Sequence, residues 1–298
     1  SITVSLAWRE QYCGIYSLNY KGVKYYFLDN EYYFKRASLY GFFDDPERFA
    51  FFSRALLDMM AAVDFYPDIL HANDWQTALS VVVLKQERAD WDGYKDVKAV
   101  YTIHNIDYQG IYGMGILGDV FGLSEENASI MEYNGDINLT KGAVVCADFI
   151  TTVSPRYAEE IKTEYFSHGL HHIINQYSYK IGGIINGIDE AVYNPKNDLD
   201  IPFTYTNRGL AGKKRDKEEL QKEFGLNVDP DVPELIFQTH IFLRRKCHKM
   251  RARQKLTNKI TVGALTSLCE QLKLFVLFIV KISFYQMTFL FFGLDFLF

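Results

Sequence analysis

The sequence predicts an α/β fold built on a parallel β-sheet, and two observations support this prediction. Short apolar runs alternate with helical patterns of about 10 to 15 residues, which is typical of βαβ units with parallel strands. Polar residues stand where several of these apolar runs end. No internal repeat is visible along the chain.

The predicted elements follow from hydrophobic periodicity and from turn residues. Pro46 suits the first turn of a helix, because a missing N–H loses no helical partner there. Along the chain we expect strands within 13–29, a helix at 44–63, a strand at 67–73, a helix at 74–87, a strand at 97–103, a looping segment, a helix at 136–147, a strand at 148–154, a helix at 155–166, a short strand at 181–189 and a short helix from Lys217.

The composition is that of a globular protein, and the charge divides the chain into two parts. The net charge of -5 argues against a nucleic-acid binder with a general basic face. Up to Pro233 there are 22 Lys and Arg against 34 Asp and Glu, whereas from Glu234 onward there are 10 against 3. We therefore expect one domain over 1–233, with a linker at about 194–216, and a different tail over 234–298.

The four cysteines are scattered and show no CxxC spacing. They are too few for a disulfide framework in a chain of this length, so a reducing, cytoplasmic setting is expected. The first residues have no basic region and no sustained apolar run, and so do not resemble a signal peptide. Because no initiator Met is present, we expect a fragment of a longer chain.

The tail combines a basic block with a Phe-rich segment. Residues 241–260 hold eight basic and no acidic residues, and residues 271–298 hold nine aromatic residues. The Phe-rich segment approaches the length of a membrane span, but Lys281, Gln286 and Asp295 are costly inside a bilayer. We therefore favour a disordered or off-frame tail over a membrane anchor.

Polar residues at three strand ends mark the candidate site. They are His71, Asn73 and Asp74 on the first strand, His104 and Asn105 on the second, and Asn186, Gly187 and Asp189 on the third. Ligands of a parallel sheet bind at the carboxyl ends of its strands. If the three strands are neighbours, these side chains converge on one crevice.

Each strand end also has a simpler explanation. Asp74 is explained equally well as the cap of the helix that follows it. An isolated His104 fits a core histidine paired with a neighbouring carbonyl, and Asn186-Gly187 is a common turn dipeptide. The case for a site therefore rests on the coincidence of the three strand ends.

Other motifs for catalysis or binding are absent from the sequence. The stretch HGLHH at 168–172 has no intervening Glu, and Gly169 weakens a helix there, so we do not expect a metal site. The stretch GGIINGID at 182–189 lacks the GxGxxG pattern, and the sequence contains no GxxxxGK[ST] and no GxSxG. Dinucleotide binding, a P-loop and a serine-hydrolase elbow are therefore not expected.

Four stretches together resemble the bacterial glycogen synthase and plant starch synthase family, and the bacterial form more closely. They are HANDWQTAL (71–79), YTIHNIDYQGIY (101–112), TKGAVVCADFITTVSPRYAEEI (140–161) and IINGIDEAVYNP (184–195). They follow the order and spacing of the family, and the resemblance runs from about Tyr12 to Pro233.

The resemblance implies a fold and a reaction. The fold is GT-B, of glycosyltransferase family 5, in which two Rossmann-like domains face each other across a cleft. This chain would supply the N-terminal half, a Rossmann-like parallel sheet with helices on both faces. The family transfers glucose from ADP-glucose, with retention, to the non-reducing end of an α-1,4-glucan such as glycogen or starch. The glucan lies mainly on the first domain and the sugar nucleotide mainly on the second, and no metal or other cofactor is implied.

The resemblance also implies roles for individual residues. Asp74 matches the family's cleft aspartate, His104 a histidine that contacts the transferred glucose, and Asn186 an asparagine that contacts the nucleotide sugar. Tyr108 is expected in the loop beside them, where its ring can stack on a sugar face. The expected catalytic residues are Asp74 and His104, and the expected substrate-binding residues are Asn105, Tyr108, Gln109, Gly110, Asn186 and Gly187.

The chain departs from the family pattern in three places. It contains no Lys-Thr-Gly-Gly loop for the donor, no Arg-Leu and Lys-Gly pattern for the diphosphate, and no Glu-Pro-Cys-Gly loop with its catalytic Glu. Without these groups the donor is not positioned, so we expect the purified chain by itself to transfer no glucose. The alternative function is that of a non-catalytic glucan-binding fragment or a pseudogene product.

Overall fold

The computed structural model describes residues 1–231 and the two-residue strand Ile279–Val280. The strands are β1 (Ile2–Leu6), β2 (Arg9–Tyr20), β3 (Val23–Asp29), β4 (Ile69–Asn73), β5 (Lys98–Ile103), β6 (Ile111–Gly113), β7 (Glu132–Tyr133), β8 (Asp136–Asn138), β9 (Phe149–Thr152), β10 (Ile181–Gly183) and β11 (Ile279–Val280). The helices are α1 (Glu31–Phe34), α2 (Asp45–Ala62), α3 (Asp74–Gln86), α4 (Ile116–Asp119), α5 (Ala128–Met131), α6 (Leu139–Cys146), α7 (Pro155–Glu160), α8 (His171–Gln176) and α9 (Ala211–Glu223).

Several of the predicted elements are confirmed. The helix expected at 44–63 is α2, and its proline stands in the first turn. The strands expected at 67–73 and 97–103 are β4 and β5, and the helix between them is α3. The strands expected within 13–29 are β2 and β3, and β1, which precedes them, was not expected.

The parallel sheet is the frame of the candidate site and confirms the predicted α/β fold. Its four strands lie in the order β10-β9-β5-β4, and every neighbouring pair is parallel. On one face Ala72, Tyr101 and Ile150 are fully buried, whereas on the opposite face Ile69 and Phe149 are about half exposed. The main core therefore lies on one side of the sheet, where α3 packs against β4 and β5 and contacts α2 and α6.

The described residues form two further sheets. One has the order β1-β2-β3-β11, with antiparallel pairing among the first three strands and parallel pairing between β3 and β11. The other has the order β6-β8-β7, and β6 and β7 lie in the segment for which only a loop was expected. Its strands have two or three residues, too few for a period-two pattern to be visible in the sequence. The helix expected at 136–147 begins only at Leu139, as α6, because Asp136–Asn138 form the strand β8.

The structure corrects the bounds of three further predicted elements. The helix expected at 155–166 ends at Glu160, where the Thr163 hydroxyl donates a hydrogen bond to the Glu160 carbonyl. The strand expected at 181–189 ends at Gly183, and exposed residues follow it. The helix α9 begins at Ala211, inside the expected linker, since its Lys- and Glu-rich sequence is polar but favours helix.

The described residues belong to two compact units, one containing residues 1–186 and the other beginning at Gly187. This division falls inside the expected domain 1–233, whose limits stay a prediction. In the second unit, the Gln221 amide donates to the Asp229 carbonyl at 2.9 Å and accepts from the Asp229 N–H at 3.0 Å. These two bonds fix the turn that follows α9.

The tail expected at 234–298 lies outside the described residues, except for Ile279–Val280. The basic block at 241–260 thus lies outside the described residues, and of the Phe-rich segment at 271–298 the structure describes only these two residues. Among the helices that it does describe, none combines the length and apolar character that crossing a bilayer requires.

Gly183 lies too close to the start of α7 to carry a side chain. A Cβ atom there would be 2.1 Å from the Ser154 carbonyl oxygen and 2.3 Å from the Pro155 nitrogen. Both are backbone atoms, so β10 or α7 would have to move. We expect Gly183→Ala to lower the free energy of unfolding by more than about 2 kcal/mol, measured by urea unfolding with tryptophan fluorescence.

Gly182→Ala is the matched control on the same strand. Its Cβ would meet the Phe149 ring at 3.3 Å, and that ring is about half exposed and has room to turn. This substitution should lower the free energy of unfolding by less than about 1 kcal/mol. An equal loss of unfolding free energy in the two variants would contradict the close packing of β10 against the start of α7.

Candidate active site

The carboxyl ends of β4 and β5 place two polar segments side by side. Asn73 of β4 lies opposite Thr102 of β5 in the parallel register. Asp74 directly follows β4, and His104 directly follows β5. The His104 N–H donates to Asp74 Oδ1 at 2.8 Å. The expected convergence of these two strand ends is therefore observed.

Asp74 holds the end of the neighbouring strand instead of capping its own helix. Its buried carboxylate also accepts from the Asn105 N–H, at 3.4 Å. The N-cap residue of α3 is Asn73, and α3 begins with Asp74 itself, so the explanation of Asp74 as a helix cap is wrong. Its φ angle is 52°, a left-handed conformation that is uncommon for a residue with a side chain. Such strain is often found at functional sites.

The His104 ring is oriented by Asn73. Its Nε2 lies 3.0 Å from Asn73 Oδ1. Because an amide oxygen only accepts, this bond assigns a proton to Nε2. The ring is half-buried at the mouth of the sheet, so the alternative of a histidine enclosed in the core is not what the structure has. One polar side chain at the end of β4 thus fixes the imidazole at the end of β5.

Asn105 shapes the loop that follows β5. Its side-chain oxygen accepts from the Asp107 N–H at 3.0 Å, and its carbonyl accepts from the Tyr108 N–H at 3.3 Å. The Tyr108 side chain is 36% exposed at the loop surface, as a ring that stacks on a sugar must be. Direct contact of Asn105 and Tyr108 with a sugar stays a prediction.

Gln109 and Gly110 have structural roles in this loop. Gln109 is buried; its amide donates to the Ile106 carbonyl at 3.0 Å and accepts from Asn138 at 2.7 Å. Gly110 has a φ of 65°, and a Cβ there would lie 2.9 Å from Leu139 Cδ1. Their contact with a substrate is untested, and the contacts within the protein explain both residues.

Asn186 and Gly187 are placed differently from the expectation. The third strand, β10, stops at Gly183, so neither residue ends a strand. Asn186 is exposed in the segment beyond β10, and Gly187 opens the second compact unit. Asp74, His104 and Asn105 are therefore brought together, whereas contact of Asn186 and Gly187 with a substrate stays a prediction.

The half-buried His71 and the fully buried Tyr101 show the electrostatic setting of the sheet. The pKa of His71 lies below its ordinary value because burial disfavours the charged ring, and its Nε2 lies 2.6 Å from the Thr102 hydroxyl. Burial, and secondly the negative charge of Asp74, raise the pKa of Tyr101. Burial thus favours the neutral His71 ring, which belongs to the sheet.

The histidines of the HGLHH stretch are used in local contacts. His168 Nδ1 lies 2.8 Å from Asp107 Oδ1, and the rings of His171 and His172 lie 3.9 Å apart. Among residues 1–231, no cluster of three His, Cys, Asp or Glu side chains is arranged to hold a metal ion.

Comparison with known proteins identifies the family of this chain. Residues 1–176, more than half of the chain, match the family model described as the starch synthase catalytic domain. The chain belongs to this family. The Asp74–His104 pair therefore lies in the family domain itself.

Relatives and a solved structure agree with the family assignment. Glycogen synthase of Lactococcus lactis subsp. lactis is 47% identical over 233 residues, which are 77% of this chain and 48% of that protein. Glycogen synthase of Alkaliphilus metalliredigens is 43% identical over 235 residues, 78% of this chain and 50% of that protein. The catalytic domain of starch synthase IV from Arabidopsis thaliana, bound to ADP and acarbose, matches with a TM-score of 0.66 and 29% identity, covering 84% of this chain and 54% of that one. The chain thus spans about half the length of the relatives it matches.

Two residues near the strand ends were not given a catalytic or substrate-binding role from the sequence. Asn73 orients the His104 ring, and its position at a strand end was visible in the sequence. Tyr40 is half-buried, and its pKa is raised by burial first and then by the neighbouring Tyr108. No sequence pattern places Tyr40 there, because the two tyrosines are brought together by tertiary structure alone.

Replacing Asp74 tests whether its carboxylate joins the two strand ends. We expect Asp74→Ala to lower the free energy of unfolding by about 2 kcal/mol or more, because two N–H groups lose their acceptor and alanine is strained at positive φ. Urea unfolding and amide hydrogen exchange at His104 and Asn105 measure the effect.

Asp74→Asn is the matched control, since it keeps a side-chain oxygen and tolerates a left-handed backbone. It should lower the free energy of unfolding by less than about 1 kcal/mol and leave hydrogen exchange slow at the His104 and Asn105 amides. Wild-type stability and exchange in the alanine variant would show that the carboxylate does not hold the strand ends.

Proposed function

We propose that this chain provides one wall of the active site of a glucosyltransferase of the glycogen and starch synthase class. The reaction is the retaining transfer of glucose from ADP-glucose to the non-reducing end of an α-1,4-glucan, glycogen or starch. The observation that carries the proposal is the bonding of Asp74 to the end of β5, which sets His104 and Asn105 at the crevice. This geometry occurs in a chain of the starch synthase family.

The residues at the strand ends suit a transfer of this kind. Positive charge builds on the sugar in an oxocarbenium-like transition state, and fixed dipoles or a nearby negative charge stabilise it. His104 is held by Asn73 and presents a fixed polar ring, while Asp74 supplies both the orientation and a negative charge. Because the groups are fixed before a ligand binds, little reorganisation is needed during the reaction.

The choice of donor, acceptor and compartment is also part of the proposal. The match to a starch synthase bound to ADP supports an adenine nucleotide sugar over a uridine one. The names of the relatives support glycogen as the acceptor. In the described residues, Cys13 and Cys146 are free thiols, which supports a cytoplasmic setting.

Binding of maltoheptaose to the full chain tests the acceptor side. We expect measurable binding by isothermal titration calorimetry, and about a fivefold weaker affinity for Tyr108→Ala, because stacking on an exposed ring is lost. The matched control is Tyr20→Ala, which removes a tyrosine of similar exposure, 38% against 36%, from the hairpin of β2 and β3. Equal weakening by both variants would contradict a sugar platform at Tyr108.

A chimera tests the transfer reaction. Residues 1–231 replace the aligned segment of the glycogen synthase from Lactococcus lactis, to which the chain is 47% identical. We expect labelled glucose to pass from ADP-glucose to glycogen, and His104→Ala to lower kcat/KM by about 100-fold or more. The exposed His172 serves as control, and its replacement by Ala should leave the rate unchanged.

The two measurements together separate the proposed function from its alternative. Binding of maltoheptaose by the chain, combined with an inactive chimera, would favour a non-catalytic glucan-binding protein. Full activity of the His104→Ala chimera would remove His104 from the proposed site. Absence of both binding and transfer would contradict the proposed function as a whole.

A further inference from the structure

The loop from Asn105 to Gly110 is held from two sides. Asp74 binds its first residues, as the site geometry shows. On the far side, the Tyr157 hydroxyl of α7 accepts from the Ile106 N–H at 3.2 Å, and the Ile106 side chain is fully buried. The backbone N–H groups of five consecutive residues, 104–108, therefore all have acceptors within the protein.

The far side of the loop also contacts a turn formed by His168 and Gly169. Both residues are left-handed, with φ angles of 48° and 90°. The Gln109 amide donates to the His168 carbonyl at 3.1 Å, and the Tyr133 hydroxyl donates to the Gly169 carbonyl at 2.7 Å. The turn thus provides two successive carbonyls as hydrogen-bond acceptors, one for the loop from Asn105 to Gly110 and one for the end of β7.

The His168 side chain adds a second link to the same loop. Its Nδ1 lies 2.8 Å from Asp107 Oδ1, and Asp107 lies between the two residues expected to meet a sugar, Asn105 and Tyr108. The turn therefore contacts the loop at two points, through the His168 carbonyl on Gln109 and the His168 ring on Asp107.

Stability does not explain a histidine in this turn. The ring and its carboxylate partner are about half exposed, and such pairs contribute about 0 to 1 kcal/mol. A left-handed residue with a side chain costs about 1 to 2 kcal/mol, a cost that glycine avoids. The net contribution to folding is close to zero or negative, so the contacts fix the orientation of the loop more than they stabilise the fold.

We propose that the turn His168–Gly169 is a positioning element for the crevice, with His168 as its positioning residue. It holds the loop from Asn105 to Gly110 in the orientation in which the Asn105 and Tyr108 side chains meet an α-glucan. His168 acts through Asp107 and Gln109 and does not itself touch the sugar. The sugar part of this inference rests on the proposed function, whereas the positioning of the loop does not.

The test compares variants of the full chain in which the His168 ring is removed without straining the turn. His168→Gly favours the left-handed backbone and loses the link to Asp107, whereas His168→Asn also tolerates this backbone and retains an amide donor. The matched control is His172→Ala, which removes an exposed histidine of the same stretch. Three quantities are measured, namely the urea midpoint, amide hydrogen exchange and the dissociation constant for maltoheptaose.

We expect His168→Gly to keep or raise the urea midpoint while amide exchange at Asp107 and Tyr108 becomes about tenfold faster. The dissociation constant for maltoheptaose should rise about three- to tenfold, because the loop must then be ordered on binding. His168→Asn should restore part of both effects, and His172→Ala should change neither. A merely structural role predicts the opposite pattern, a lower midpoint and faster exchange throughout β5.

Several results would overturn the inference. Unchanged exchange at Asp107 and Tyr108 in His168→Gly would show that the turn does not hold the loop. Faster exchange with an unchanged dissociation constant would show that the held loop does not serve the sugar. If the wild-type chain binds no maltoheptaose, the proposed function fails, and the exchange measurement alone still decides whether the turn positions the loop.

Discussion

Strand ends leave backbone N–H groups without partners in the sheet, and at the end of β5 the Asp74 carboxylate provides the acceptor for two of them. This interaction joins two parallel strands beyond the last residues that they pair. His104 and Asn105 take their positions from it, since their backbone N–H groups are the donors. The loop that follows then begins from a fixed point, and the geometry of the crevice depends on one side chain.

The left-handed backbone of Asp74 is retained because the surrounding core leaves no alternative. Trp75, the next residue, is buried and packs edge-on against Phe49 and Tyr112, with ring centroids 5.1 and 6.1 Å away. The same indole approaches Gly110, where a Cβ would lie 3.0 Å from it. The packing of α3 in the core therefore fixes the backbone at Asp74, and it also fixes the position of Gly110 at the end of the loop that follows β5. Strain of about 1 kcal/mol is small against this burial.

The sequence predicted the parts of this structure that depend on periodicity. The alternation of β4, α3 and β5 was predictable, and so was the meeting of Asp74 with His104, because parallel strands end on the same edge. The left-handed φ of Asp74 was not predictable, because Asp before an apolar helix is also the pattern of an ordinary cap. The short third sheet, the end of β10 at Gly183 and the approach of Tyr40 to Tyr108 depend on contacts between distant segments. A local sequence pattern does not indicate contacts between segments that are distant in the chain.

Two strained residues, Asp74 and His168, act on opposite ends of the same loop. Each has a positive φ angle, and each provides an acceptor for a group of the loop, the first for backbone N–H groups and the second for the Gln109 amide. A loop fixed at one end would still pivot, and its exposed tyrosine would lose orientational entropy on contacting a ligand. Fixing both ends transfers that entropy loss from binding to folding, where the buried core of α2, α3 and α6 is large enough to offset it. The left-handed backbones of Asp74 and His168 therefore serve the same end, the placement of the loop that follows His104.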